Sequence, residues 1–381
     1  MQKLVMWLAT ALLMVGILTI QGSADDTLQG EWQAKFLSGE DAGCIDLEIQ
    51  RSTWNHRHSW GETRRISEFR GLDPGLATAK DSPAQFELRR DAGTFGFEGR
   101  FRGGEGSGKF RFAPNSDYVQ GMKALGFSGL SLEQLFSLAT QDVSRQFVKD
   151  IHDLGYRDVS LDEFITFRIH GVTPDFIRAM RDLIPGSLSA DDLVTMRIHG
   201  VSPEFTKEMK TLLHKDFTVD QLVTFRIHGV SPEFVREARE LLAKDVTADD
   251  LVTMRIHGVS PEFVKSIDTL LGRSLSADEL VTFRIHGVSP EFVEQMHQLV
   301  SRKLSPDDLV TFRIHGVSPE FVKEMNAAGY TQISPDQLVT MRIHGVDAAF
   351  VKEVREHGYK NPSIDDLVEM RIHGYPRRAA L

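Results

Sequence analysis

Residues 188–213 read LSADDLVTMRIHGVSPEFTKEMKTLL, and this stretch decides the fold. Ser189, followed three residues later by Asp192, has the form of a capping box with Asp in place of the usual Glu. Leu188 and Leu193 stand where a hydrophobic staple forms, and Asp191 and Asp192 suit the positive end of a helix dipole. The spacing predicts a helix through Leu193, Val194, Met196 and Ile198 that stops at Gly200, with Val201 folding back onto Met196. A second helix opens at once. Ser202 is its cap, Pro203 its first position, and Phe205, Met209, Leu212 and Leu213 share one face. Helices of roughly 9 to 12 residues are not stable alone in water, so neighbours must supply their burial.

Working outward, Arg-Ile-His-Gly occurs eight times, starting at Arg168, Arg197, Arg226, Arg255, Arg284, Arg313, Arg342 and Arg371, always 29 residues apart. A fixed period of this size marks an array of stacked units, here α-helical hairpins. Caps for the first helix of each unit are predicted at Ser131, Ser160, Ser189, Thr218, Thr247, Ser276, Ser305, Ser334 and Ser363. Those for the second are predicted at Asn115, Ser144, Thr173, Ser202, Ser231, Ser260, Ser289, Ser318 and Asp347. The ends depart from the pattern: Ala139-Thr140-Gln141-Asp142 fills the slot of a ninth motif, and Tyr375-Pro376-Arg377-Arg378 replaces a last second helix. Residues 114–381 are thus expected to form an α-solenoid of about nine helical hairpins, extending roughly 80 Å or more.

Residues 25–113 follow another period. Trp32, Ala34 and Phe36 alternate with polar residues, as do Ile45, Leu47 and Ile49, then Phe95, Phe97 and Phe101, then Phe110 and Phe112. Such alternation predicts strands with one buried face, and Gly103 to Gly106 a hairpin loop. The expectation is a small antiparallel β-sandwich or partial barrel of about five to seven strands, ending near Ala113-Pro114.

Residues 1–24 read as an export signal: Lys3, an apolar run from Leu4 to Ile20, and small Gly22 and Ala24 before a cleavage point after Ala24. Cleavage would leave a periplasmic or secreted chain without a membrane span. Cys44 is the one cysteine, so no intrachain disulfide can form, and its place ahead of Ile45 suggests a small core residue. The chain carries −10 overall. Residues 116–381 hold 30 Lys and Arg against 39 Asp and Glu, an acidic balance that disfavours nucleic acid and anionic lipid.

Two candidate sites emerge. Arg197, His199, Arg226, His228, Arg255, His257, Arg284, His286, Arg313 and His315 lie in the last turn of successive helices. There they can satisfy terminal carbonyls and the dipole, or form a ladder that meets an anion or partner. Trp54, His56, His58 and Trp60 lie in the polar stretch Arg51 to Glu62, read as a loop that either pins itself to the sheet or holds a small molecule or glycan. Metal binding by the His ladder is disfavoured, since equivalent residues sit roughly 8–10 Å apart. No metal or other cofactor is expected. The chain contains no G-x-S-x-G, H-E-x-x-H or P-loop pattern, so no enzymatic activity is expected.

The string L-S-x-D-D-L-V-x-x-R-I-H-G-V-S-P-E-F-V, with Gly126-Phe127, Gly155-Tyr156, Gly329-Tyr330 and Gly358-Tyr359 ending some second helices, resembles a helical repeat of soil bacteria. That repeat occurs in exported proteins and is also appended to membrane metallopeptidases of the β-lactam-sensor type. The segment ending Phe110-Arg111-Phe112-Ala113-Pro114-Asn115 is similar to the region that precedes those repeats. The resemblance covers nearly all of the chain after the leader and implies an exported repeat protein. It implies no proteolysis, because the peptidase motif and the multiple spans are missing. Together these readings predict a non-enzymatic scaffold that binds a protein or envelope polymer along its repeat surface.

Overall fold

The computed structural model describes residues 27–52, 57–242 and 246–374. The leader, Trp54 and His56, and the segment from Tyr375 on lie outside the described residues. Seven strands run β1 (Leu28–Phe36), β2 (Cys44–Ser52), β3 (Arg57–Arg65), β4 (Phe69–Arg70), β5 (Ser82–Arg90), β6 (Gly93–Arg102) and β7 (Glu105–Pro114). They form one antiparallel sheet in the order β3-β2-β1-β7-β6-β5-β4, a curled half-barrel and so the partial barrel of the two arrangements the alternation allowed. The expected hairpin joins β6 to β7 through a two-residue turn, Gly103-Gly104.

Register sorts the side chains as alternation required. Trp32, Ile49, Phe86, Phe97, Phe101, Phe110 and Phe112 are buried together, with the Trp32 ring edge-on to Phe86 at 5.2 Å. The indole N–H of Trp32 donates to the Glu98 carbonyl at 3.1 Å. Gly99 is required beneath that indole, since a Cβ there would collide with the Ser107 carbonyl and lie 2.7 Å from Trp32 Cζ2. Two expectations fail here. Arg57 to Glu62, read as loop, is most of β3, paired along β2. Cys44 is half-buried rather than core: it sits one position out of phase with Ile45, on the face of Asp46 and Glu48.

Eighteen α-helices follow among the described residues, in alternating first and second members of each hairpin. The first helices are α2 (Leu132–Thr140), α4 (Leu161–His170), α6 (Ala190–Ile198), α8 (Val219–Ile227), α10 (Ala248–Ile256), α12 (Ala277–His286), α14 (Pro306–His315), α16 (Pro335–His344) and α18 (Ile364–His373). The second helices are α1 (Ser116–Ala124), α3 (Arg145–Asp153), α5 (Pro174–Leu183), α7 (Pro203–Leu213), α9 (Pro232–Leu241), α11 (Pro261–Leu271), α13 (Pro290–Leu299), α15 (Pro319–Ala327) and α17 (Ala348–Glu356).

All eighteen predicted caps accept a bond from their helix's first turn; Ser260 Oγ, for example, accepts from Phe263 N at 3.2 Å. The Asp form of the box closes too, with Ser189 N donating to Asp192 Oδ2 at 2.8 Å. The stop at Gly200 is a Schellman turn, in which Val201 N donates to Met196 O at 2.8 Å. The helix runs through Ile198 as expected, but its apolar residues do not all share one face. Leu193 and Met196 are fully buried, whereas Ile198 is 56% exposed. Five residues separate Leu193 from Ile198, about 140° around the helix at 100° per residue, so both cannot face one core.

By packing, the chain divides into two compact units. One holds the residues up to Arg178 with Leu188–Val194, and the other holds Ala179–Ser187 with the residues from Thr195 on. In the first, the sheet closes the start of the array. Phe136 of α2 packs 5.5 Å from Phe112 and 5.6 Å from Phe95, and Arg51 of β2 grips Glu133 with two bonds of 2.7 and 2.9 Å. Asp91, in the β5–β6 turn, accepts from the backbone N–H of Arg145 at 2.8 Å and from its guanidinium at 2.6 Å. Burial alone would raise the Asp91 carboxyl, but the Arg145 bonds outweigh it and hold the group below its usual range. In the second unit, first helices α10 to α18 pack in sequence on one another, and second helices α7 to α15 do likewise, giving two layers. Among the described residues no helix is long and apolar enough to cross a membrane.

Candidate interaction surface

The Arg-Ile-His-Gly motif ends each first helix from α4 to α18, and its four residues have separate fates. The glycine takes the left-handed conformation that closes the helix, with φ of +69° at Gly258. It must also be small for a second reason: a Cβ on Gly258 would stand 3.1 Å from Nη2 of Arg284, in the following repeat. The arginine reaches backward. Arg284 Nε donates to the carbonyl of His257 at 3.4 Å, and its guanidinium lies 4.9 Å from the ring centre of Phe263. Arg226, Arg255 and Arg313 make the same two contacts with His199 and Phe205, His228 and Phe234, and His286 and Phe292. Each of these guanidiniums therefore clasps the end of the preceding first helix, where carbonyls lack partners and the dipole is negative. The sequence placed these cations at helix ends but on their own helix; the seam between repeats is what they hold.

The clasp also works at the atypical first seam. Arg168 donates to the Gln141 carbonyl at 3.1 Å and pairs with Asp142 at 3.1 Å. Asp142 itself sits at φ 52°, in glycine's place. A parallel device joins second helices: Lys210 Nζ donates to the Leu183 carbonyl at 2.7 Å and Arg355 to that of Ala328 at 2.8 Å. That position has drifted to Asp268, His297 and Asn326 in three consecutive repeats. At His297 the Nε2 is buried without a hydrogen-bond partner among the described residues, and burial pushes the imidazole down.

The isoleucine is the exception. All eight copies, from Ile169 to Ile372, are 49–57% exposed, and among the described residues no other large hydrophobic side chain stands out to solvent in this way. Beside them the rings of His199, His228, His257, His286 and His315 have no hydrogen-bond partner among the described residues; what each of the first four contributes to the fold is its backbone carbonyl. A β-branched residue at an exposed helix position gains nothing from packing and is a weaker helix former than the alternatives. Exposed positions elsewhere have changed between copies. One in the second helices reads Lys207, Arg236, Lys265, Glu294 and Lys323, and another Thr211, Glu240, Thr269 and Gln298. The exposed Ile and the His beside it have not changed in any copy. Recent duplication would have kept all exposed positions alike.

The sheet offers less. Trp60 pairs with Ile49 in register on the edge strand β3, with the Arg64 guanidinium 5.9 Å from its ring centre. His58, also in β3, pairs in register with Arg51 of β2. Trp54 and His56 lie outside the described residues, so the four are not brought together as a site. The opposite, polar face carries a trough of about 1080 Å³. Its polar groups are tied to one another: Lys35 pairs with Glu105 at 2.8 Å, and Glu48 accepts hydrogen bonds from Gln50 and Ser59. Among the described residues no group of three or more His, Cys, Asp or Glu is placed to hold a metal ion. Compared with known proteins, the chain matches no family model and no curated sequence.

Proposed function

We propose that this protein is an exported, non-catalytic interaction protein whose helical array binds an elongated protein or envelope polymer along the Ile-His edge. The observation that carries the reading is the unvarying exposure of Ile at one position in eight copies, beside positions that have drifted. Stacked repeats suit such a role because each adds one identical contact to a continuous surface. The leader and the resemblance to exported repeat proteins support a periplasmic or secreted site, and the acidic array argues against a nucleic-acid partner. The test is retention of envelope components on the immobilised protein, against a variant with Ile256→Lys, Ile285→Lys and Ile314→Lys. Material held by the native chain should be lost from the variant. Equal retention by both would refute the edge as the binding surface.

A further inference from the structure

Building on that reading of the edge, the kind of partner can be narrowed. A row of identical, evenly spaced knobs is matched by a surface of the same spacing, and a second copy of this chain carries that spacing by construction. Self-complementarity of this kind is what an isologous contact requires. Seven rungs, Ile198 to Ile372, lie within one compact unit. Each is 49–57% exposed, which leaves on the order of 100 Å² of apolar surface per side chain and about 700 Å² per copy. A standard stable interface buries about 800 Å² on each partner, so the rungs come close to that figure before the neighbouring imidazoles are counted.

Charge does not oppose the contact. Each rung from Ile198 to Ile314 is preceded by one Arg and followed, at the start of the next helix, by one carboxylate such as Glu204, Glu262 or Glu291, and Ile343 has the cap carboxylate of Asp347 in that place. The acidic surplus of residues 116–381 is concentrated instead at the other end of the first helices, in pairs such as Asp191-Asp192 and Asp307-Asp308. An edge that is near neutral and apolar, on a chain whose repulsive charge is held elsewhere, is suited to meeting its own copy.

We infer that two copies of this chain pair through their isoleucine ladders, each copy's rungs covered by the other's. Sedimentation velocity of the full-length protein between about 1 and 100 μM tests it, because interfaces of this size dissociate in or below that range. The native chain should dimerise. Ile256→Lys, Ile285→Lys and Ile314→Lys together should raise the dissociation constant at least 100-fold while leaving the circular dichroism spectrum unchanged. Thr211→Lys, Thr269→Lys and Gln298→Lys, which add the same charge on exposed second-helix positions, should leave the dimer intact. A native chain that stays monomeric throughout overturns the inference, as does a dimer that survives the ladder variant or dissociates equally in the control. A monomer whose ladder variant still loses its envelope components would sink self-pairing alone and leave the proposed function standing.

Discussion

In the sheet, the indole of Trp32 is tied to Glu98, 66 positions away along the chain. In the array, the side chain of Arg284 is tied to His257, 27 positions away, and the same distance recurs at seam after seam. Both regions face the difficulty that one short element cannot bury its own apolar face. The sheet answers it with contacts between distant strands, so each aromatic ring depends on several elements at once. The array answers it with nearest neighbours alone, so a fault at one seam should stay local. Where the two meet, the sheet covers the start of the array through Phe136 and Arg51 at the first helix α2 and through the Asp91–Arg145 pair at the second helix α3.

The contrast can be broken or sharpened in order of expected effect. Trp32→Ala should cost the sheet about 3–5 kcal/mol, the usual range for a fully buried large aromatic. Denaturation followed by circular dichroism should show the sheet's transition moving while most of the helical signal keeps its midpoint. An equal shift of both would end the distinction between global and local dependence. Next, Asp91→Asn should cost about 2 kcal/mol at neutral pH, because charge-assisted bonds to Arg145 are lost. The sign follows from the depressed carboxyl: its contribution is present above the ordinary value of about 3.9 and disappears as pH falls through the lower folded value. Melting temperatures of native and variant proteins should therefore converge as the pH is lowered below 4.

Within the array, Gly258→Ala should cost about 1–2 kcal/mol for the left-handed backbone, plus a further increment for crowding Arg284. Gly272, at φ +66° with nothing within 4 Å of a Cβ, provides the comparison for strain alone. The difference between the two substitutions should vanish in an Arg284→Ala background, and a persistent difference would remove the clasp as its cause. Smallest of all, Ile285→Lys should change the stability of the single chain by less than about 0.5 kcal/mol, as exposed substitutions do. Thermal melts at low protein concentration measure it; a loss above about 1 kcal/mol would mean the rung is packed within its own chain.

Much of this was legible in the residues. Cap chemistry located all eighteen helix starts, and glycine placed the stops of the first helices after α2, because these are local effects of one residue on its own turn. What could not be read is what depends on the neighbouring repeat. Nothing on a helical wheel shows that Arg284 reaches His257 and Phe263 of the repeat before it. The exposure of Ile198 is readable in the spacing, since an offset of five from Leu193 points away from the core although the residue is apolar. Strand β3 was hidden for another reason. As an edge strand it alternates His58, Trp60, Glu62 and Arg64 with Ser59, Gly61, Thr63 and Arg65, a charged sequence that keeps an edge from recruiting other chains and carries no apolar period.

The backward-reaching guanidinium has a bearing on how such a molecule changes over generations. Four consecutive seams use the same donor, carbonyl and ring, so unequal recombination that inserts or removes whole periods among them produces junctions already competent to close. Copy number can then vary without any compensating substitution, and span becomes an inherited quantity set in notches rather than a property to be rebuilt at each step.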